Sequence, residues 1–146
     1  MPSTTAAVNP QFETQVRQSF ARQGLMSTLG AWLVSVEAGR VVIELAYAMR
    51  VGQQHGYFHG GVIGAIGDNA GGYAALSLMP AGSEVVTIEY KVNFLKPAKG
   101  DLLQAVGQVA RAGKSIVVTR VEIACRSGGI LQPCALLQQT LMRVEA

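Results

Sequence analysis

The chain has 146 residues, of which 49% are apolar and only 14% are charged, and its net charge is +3. This length predicts a single domain, residues 1–146, that buries about two-thirds of the surface an unfolded chain would expose. Aromatic residues are sparse and no recognition motif is present, which argues against a nucleic-acid partner. A surface this poor in charge predicts an oligomer, with part of it covered by another subunit.

The start of the chain has neither a basic region nor an apolar stretch, so we expect no secretory signal and a cytoplasmic protein. The run from Val51 to Ser83 is long and apolar. It nevertheless contains His55, His59, Asp68 and many glycines, which argue against a lipid-facing span. We therefore predict a buried helix there and no membrane partner.

No metal site is predicted from the potential ligands of the chain. His55, His59 and Asp68 lack a recognisable ligand spacing, and a third imidazole is absent. Cys125 and Cys134 have neither metal spacing nor a secreted context, so we expect them to be small core residues.

The N-terminal region, residues 1–29, is predicted to be a helical extension. Asn9 is placed to cap a helix, Pro10 suits its first turn, and Gly24 is expected near its end. The apolar residues of this segment recur at helical spacing: Phe12, Val16 and Phe20.

Two strands are predicted next, at 32–36 and 40–47, on either side of the hairpin turn Glu37-Ala-Gly39. A loop, residues 52–59, separates them from the long apolar segment.

That segment, from Gly60 to Met79, is predicted to be a helix that ends at Pro80-Ala-Gly82. It contains six glycines, each of which costs a helix about 1 kcal/mol relative to alanine. Tertiary packing must therefore hold the helix, and its small residues would let strands wrap it closely.

Four regular segments complete the chain, and the first of them alternates in the manner of a strand. Its alternation places Val86, Ile88, Tyr90, Val92 and Phe94 on one face and Thr87 on the other, polar face. One long helix among strands that follow one another indicates an α+β fold in which an antiparallel sheet curls round the helix. The predicted strands are 85–95, 102–111, 115–125 and 134–144.

Asp68 is the only charged side chain between Arg50 and Glu84, and it lies within the glycine-rich helix. Placing an ionised carboxylate in an apolar setting costs several kcal/mol unless polar partners compensate. Such a group is either a hydrogen-bonded structural acid or a general base.

Gly60 and Gly61 open the predicted helix, so their amides lack partners within it and point outward from the positive end of its dipole. Such amides form an oxyanion hole or an anion site, and glycine lets a carbonyl approach closely. Asp68 follows Gly60 by roughly 12 Å along the axis, at about 1.5 Å per residue. That distance suggests that the helix start of one subunit faces the Asp68 of another.

A wider pattern surrounds these residues: Gln53-x-x-Gly56-x-x-His59-Gly60-Gly61, then Asp68, then the run from Thr87 to Gly100. The pattern resembles the hotdog-fold acyl-CoA thioesterases of the phenylacetate-pathway (PaaI-like) type, over most of residues 30–145. The resemblance implies a long helix wrapped by an antiparallel sheet, dimers that join their sheets edge to edge, and dimers that often pair into tetramers. It implies no cofactor, because coenzyme A is part of the substrate.

The resemblance also implies roles for individual residues. Asp68 would activate water or attack the thioester itself, and the Gly60 amide would donate to the thioester oxygen. Gln53 stands where the family usually has Asn, and would orient water or the acyl carbonyl. His59 would hold its loop and assist the reaction, or serve only as a satisfied loop histidine. Thr87 stands where relatives have Ser or Thr, although its strand face points away from the predicted helix.

Substrate contacts follow from the same resemblance. Gly61 would contribute to the anion site, and Tyr57 and Phe58 would either line an acyl pocket or pack the loop. Seven basic and two acidic side chains lie between residues 91 and 126. This stretch suits the phosphates of coenzyme A, or it is an ordinary solvated strand face. The candidate phosphate contacts are Lys96, Lys99, Arg111 and Lys114.

Hydrolysis of an acyl-CoA thioester is the function that these features predict. Two alternatives use the same fold: a non-catalytic acyl-CoA binding protein, and a hotdog dehydratase or hydratase that acts on the acyl chain. A purely structural oligomer is a further alternative that no particular residue favours.

Overall fold

The computed structural model describes residues 6–146, and residues 1–5 lie outside the described part. Within the described residues, three α-helices and six strands follow one another, and a short 3-10 helix, Met49–Val51, precedes the third α-helix. The elements are α1 Phe12–Ala21, α2 Gly24–Leu29, β1 Trp32–Glu37, β2 Arg40–Ala46, α3 Gly60–Leu76, β3 Ser83–Phe94, β4 Leu102–Ala112, β5 Ile116–Ser127 and β6 Ile130–Glu145.

The six strands form one antiparallel sheet in the order β1-β2-β4-β5-β6-β3. The third helix, α3, packs against the inner face of this sheet and contacts β2, β3, β4, β5 and β6. Its buried residues join the inward side chains of the strands in one hydrophobic cluster. The α+β prediction of a sheet curled round a long helix is confirmed.

Close contact between helix and sheet depends on glycine. A Cβ on Gly107 of β4 would lie 2.4 Å from the backbone carbonyl carbon of Ala70 in α3, so only glycine fits this crossing. On the helix side, a Cβ on Gly67 would come within 3.1 Å of Leu137 and 3.3 Å of Ile123. The glycines that weaken α3 as an isolated helix thus let the strands approach its backbone.

The N-terminal region differs from its prediction. Instead of one helix from Asn9 to Gly24, the chain forms α1, breaks at Arg22 and Gln23, and forms α2 from Gly24. The Asn9 side chain accepts a hydrogen bond from the Gln11 amide at 3.0 Å, before the first helical residue. Asn9 therefore closes a turn ahead of α1, and Gln11 occupies the N-cap position.

Strand β3 is an edge strand with an irregularity that the sequence alternation did not predict. Thr87 pairs with Leu141 and Glu89 pairs with Thr140, so Ile88 is an extra residue in a β-bulge. The bulge reverses the face of the sheet toward which each residue N-terminal to it points. Thr87 consequently points toward α3, and its predicted position on the opposite face is wrong.

The edge strand β3 exposes several apolar side chains. Val86, Ile88, Tyr90 and Phe94 are each 44–54% exposed. An unpaired strand with this composition is a site for pairing with another strand.

In residues 6–146, no helix combines the length and apolarity needed to cross a membrane.

Candidate active site

Asp68 lies on the face of α3 that meets the end of the sheet at β3. One carboxylate oxygen, Oδ1, accepts hydrogen bonds from the Thr87 hydroxyl at 2.7 Å and from the Gln139 side-chain amide at 2.8 Å. Among residues 6–146, the second oxygen, Oδ2, has no hydrogen-bond partner. The Asp68 side chain is partly exposed. Its carboxylate is therefore held through Oδ1, while Oδ2 is left free to contact another group.

A polar cleft of about 280 Å³ borders this carboxylate. The Tyr73 hydroxyl lies in its wall and contacts the Ser19 hydroxyl at 3.1 Å and the Gln23 side-chain amide at 2.7 Å. Burial raises the pKa of Tyr73 above its ordinary value, so the phenol stays protonated at neutral pH. The cleft is lined by Ser19, Gln23, Asp68, Asn69, Gly72, Tyr73, Glu84, Val85 and Thr87.

The start of α3 forms a second candidate centre. The hydrogen bonds of residues 6–146 leave the Gly60 amide without a partner. The Gly61 amide, in contrast, donates to His59 Nδ1 at 2.8 Å. The prediction that both amides are free is therefore wrong for Gly61, because the histidine caps the helix. With Nδ1 as acceptor, the neutral ring carries its proton on Nε2.

The loop before α3 is held by Gln53. Its side-chain oxygen accepts hydrogen bonds from the amides of His55 and Tyr57. The Gln53 side-chain nitrogen has no partner in the described part of the chain, so it is available as a donor. Phe58 is buried and packs edge-on against Tyr47, with ring centroids 5.2 Å apart.

A largely apolar cleft of about 560 Å³ lies beside this loop and the Gly60 amide. Phe94 forms one wall, since a Cβ on Gly60 would lie 3.1 Å from its ring. The sequence placed Gln53, Tyr57, Phe58 and Gly60 in one site, and the structure brings them together here. The lining residues are Gln53, Tyr57, Phe58, Gly60, Ile63, Phe94, Leu95, Lys96, Pro97 and Ala98.

We call the polar cleft beside Asp68 the Asp68 cleft, and the apolar cleft beside Gly60 the Gly60 cleft. The two clefts share no lining residue. Asp68 follows Gly60 by eight positions along the helix, or about 12 Å. Within one chain, the free amide and the presented carboxylate therefore face different cavities.

The predicted phosphate contacts do not form one group. Lys96 lines the Gly60 cleft and hydrogen-bonds Gln132, and Lys99 lies in the loop that follows. Arg111 and Lys114 lie at the opposite end of the strands, where β4 ends and β5 begins. The sequence placed all four in one basic stretch, but hairpin geometry separates them by most of the length of a strand.

Gln139 is a site residue that the sequence analysis missed. It is fully buried and lies between Leu137 and Leu141 on the inward face of β6. A glutamine at an inward position of an otherwise apolar face was the available signal. Within residues 6–146, no group of three or more His, Cys, Asp or Glu side chains is arranged to hold a metal ion.

Comparisons with known proteins identify the class to which this fold and site belong. The family model for the Thioesterase superfamily matches residues 55–131, and the chain belongs to that superfamily. It is a thioester hydrolase with the hotdog fold, as its resemblance to the PaaI-like thioesterases predicts.

Individual relatives agree with this assignment. The chain is 32% identical over 100 residues to a 1,4-dihydroxy-2-naphthoyl-CoA hydrolase of Listeria monocytogenes, covering 68% of this chain and 81% of the relative. It is 31% identical over 96 residues to the acyl-coenzyme A thioesterase PaaI of Escherichia coli, covering 65% of this chain and 66% of that protein. A crystal structure of a thioesterase family protein from Silicibacter pomeroyi superposes with a TM-score of 0.91 at 37% identity, covering 92% and 99% of the two chains.

Proposed function

We propose that this protein hydrolyses acyl-CoA thioesters to a free acid and coenzyme A, at a site shared by two subunits. The observation that carries the proposal is the Asp68 carboxylate, which two donors hold by Oδ1 while Oδ2 is left without a partner beside a cleft. Relatives named for acyl-CoA substrates support this substrate class.

The Gly60 amide is proposed as the oxyanion hole. It is the first amide of α3, it has no partner in residues 6–146, and it opens on an apolar cleft. An amide with the helix dipole behind it stabilises the negative charge that develops on a thioester oxygen. The free Gln53 side-chain nitrogen borders the same cleft and would donate to the acyl carbonyl or to water.

Asp68 is proposed to act as general base or as nucleophile. As a base, Oδ2 removes a proton from water while the water oxygen bonds to the thioester carbon. The tetrahedral intermediate then collapses, the carbon–sulfur bond breaks, and the coenzyme A thiolate takes up the proton. As a nucleophile, Oδ2 bonds to the thioester carbon and the carbon–sulfur bond breaks, which releases the coenzyme A thiolate and leaves a mixed anhydride. Water then hydrolyses the anhydride to the free acid and the Asp68 carboxylate, and the proton lost by water passes to the thiolate. In both routes the Thr87 hydroxyl holds the Asp68 carboxylate in place through its hydrogen bond to Oδ1.

A dimer brings the two centres together in this proposal. If two β3 edges pair antiparallel about a two-fold axis, the start of one α3 lies near the middle of the other. The Gly60 cleft of one subunit then faces Asp68 of its partner, and exposed apolar side chains of β3 are covered. Lys96 and Lys99, at the Gly60 end, are the proposed contacts for coenzyme A phosphates in this arrangement.

The proposal is tested by measuring thiol release from a panel of acyl-CoAs with the wild-type protein and Asp68→Asn. The amide keeps the size of the side chain but cannot accept the proton or attack. We expect kcat to fall by at least about 10²-fold, with an unchanged melting temperature and elution volume.

Three outcomes would contradict the proposal. Unchanged turnover in Asp68→Asn would remove this carboxylate from the mechanism. Saturable binding of acyl-CoA without thiol release would indicate a binding protein. Consumption of an enoyl-CoA without free thiol would indicate a hydratase.

A further inference from the structure

We propose that Thr119 and Gln139 form a buried positioning pair that orients the Asp68 carboxylate for the reaction. This inference rests on the proposed function, because it gives Asp68 the reacting oxygen. Neither residue lines the Asp68 cleft or the Gly60 cleft, so neither is placed to touch substrate.

The two side chains are direct neighbours in the sheet. Thr119 of β5 pairs with Gln139 of β6, and both point inward toward α3. The Thr119 hydroxyl donates to Gln139 Oε1 at 3.1 Å. Gln139 Nε2 in turn donates to Asp68 Oδ1 at 2.8 Å and approaches the Asp68 backbone oxygen at 3.4 Å. A relay of hydrogen bonds therefore runs from the sheet to the acid.

The polarity of the pair is fixed by the carboxylate. A rotated carboxamide would place Gln139 Oε1 against an anionic oxygen, where two acceptors repel each other. With Nε2 facing Asp68, Oε1 needs a donor, and the Thr119 hydroxyl supplies it. The amide is therefore locked as a donor toward Asp68.

The energetics favour a functional role for the pair. Both side chains are fully buried on a face that otherwise carries apolar residues such as Leu137, Leu141 and Val121. Burying a polar group costs free energy that a hydrogen bond only offsets, and an apolar pair of similar volume serves a core equally well. Packing alone gives no reason for a threonine and a glutamine at these two positions.

The helix leaves space for this pair at one residue. A Cβ on Gly71 would lie 1.8 Å from Gln139 Oε1 and 2.6 Å from Thr119 Oγ1. Gly71 follows Asp68 by three positions, so it lies on the same side of α3. The absence of a side chain there gives the carboxamide room to reach the acid.

The consequence for the reaction lies in which oxygen is free. Thr87 and Gln139 both donate to Oδ1, from an exposed strand edge and from the core respectively. The carboxylate is thereby fixed about its bond to Cβ, with Oδ2 turned away from both donors. Loss of the buried donor would let the group rotate, which lowers the fraction of productive encounters without affecting binding.

The test compares Thr119→Val with Thr119→Ser, because Thr119 does not touch Asp68. Valine keeps the shape but removes the donor to Gln139, whereas serine keeps the hydroxyl. We expect Thr119→Val to lower kcat by about tenfold or more with KM unchanged, by analogy with small misplacements of catalytic groups. Thr119→Ser should recover most of that kcat.

Two further variants distinguish an effect on positioning from a loss of folding. The double variant Thr119→Val/Gln139→Leu replaces the pair by apolar side chains and leaves no orphaned polar group. It should keep or raise the melting temperature while its kcat falls by between about tenfold and a hundredfold. Thr140→Val is the matched control, since Thr140 neighbours Gln139 on β6 but bonds Glu89 on the outer face; its kcat should not change.

The outcomes separate the two proposals. If Asp68→Asn is inactive but the double variant keeps wild-type kcat, the positioning role is overturned and the proposed function stands. If Asp68→Asn retains turnover, the mechanism itself fails, and the positioning role fails with it. A rise in KM in Thr119→Val at unchanged kcat would also overturn the positioning role.

Discussion

At the scale of single residues, two donors hold one oxygen of the Asp68 carboxylate, and in residues 6–146 the other oxygen has no hydrogen-bond partner. The sequence identified this acid because no other charge lies near it, and it identified Gly60 because glycines open the helix. It did not identify Gln139, because a glutamine in an amphipathic strand is ordinarily assigned to the solvent side. The partner of such a side chain becomes visible only when the strand is placed against α3.

The two cysteines, expected to be core residues, are both buried, and one of them makes a testable contribution to stability. Burial raises the pKa of the Cys134 thiol to about 11 from an ordinary value of 9.0. Between these values the unfolded thiol ionises while the folded one stays protonated. The stability that this group contributes is therefore complete below pH 9 and is lost as the pH rises toward 11.

We expect Cys134→Ala to lose less stability than the wild type between pH 8 and pH 11. The expected difference is about 2 kcal/mol, at about 1.4 kcal/mol per unit of pKa shift. Urea denaturation of both proteins at several pH values measures it. Equal declines would show that the Cys134 thiol does not control the alkaline transition.

At the scale of elements, the sequence predicted the type and order of most segments. The strand boundaries differ by a few residues, and β6 begins four residues earlier than predicted, at Ile130. The β-bulge at Ile88 was not predictable from β3 alone, because apolar and polar residues continue to alternate through it. A bulge is a mismatch between two paired strands, so its position depends on β6 as much as on β3.

The glycines of α3 give a prediction at this scale. Alanine at Gly72 would meet only Leu141, at 3.8 Å, and should stabilise the helix by up to about 1 kcal/mol. Alanine at Gly71 would collide with the Gln139 carboxamide, and we expect it to destabilise the protein by about 1–3 kcal/mol.

The two neighbouring substitutions are compared by thermal and urea denaturation. If Gly71→Ala is as stable as Gly72→Ala, the crowding deduced around Gln139 is wrong. Gly71→Ala should also lower kcat more than Gly72→Ala, because it displaces the donor to Asp68.

At the scale of the whole molecule, the sequence predicted a site shared by two subunits from the distance between Gly60 and Asp68 along the helix and from the low content of charged residues. The separation of Gly60 from Asp68 along α3 exceeds the size of a thioester group, and the structure places the two in separate clefts. Pairing of chains could not be derived further from the sequence, because it depends on which strand forms the sheet edge. The order of strands in the sheet puts β3 there.

Tyr90 tests the proposed dimer. It lies on β3, faces α3 beside Gly64 and is 44% exposed. We expect Tyr90→Glu to give a folded monomer without thioesterase activity, because a carboxylate at an apolar edge opposes association. Light scattering coupled to size exclusion, with circular dichroism, measures the outcome.

Lys91→Glu is the control for Tyr90→Glu. It changes charge on the same strand but on the outer face, and the protein should remain at least a dimer. A fully active monomer in either variant would contradict a site built from two chains.

The contact between α1 and Tyr73 has a consequence for how such proteins diversify. Ser19 and Gln23, which meet the phenol at the wall of the Asp68 cleft, precede the residues that match the superfamily model. The depth of the cleft beside Asp68 is thus set partly by the N-terminal segment that contains Ser19 and Gln23, and not by α3 alone. Exchange of that segment would therefore change the volume beside Asp68 while the Thr87 and Gln139 hydrogen bonds to its carboxylate stay as they are.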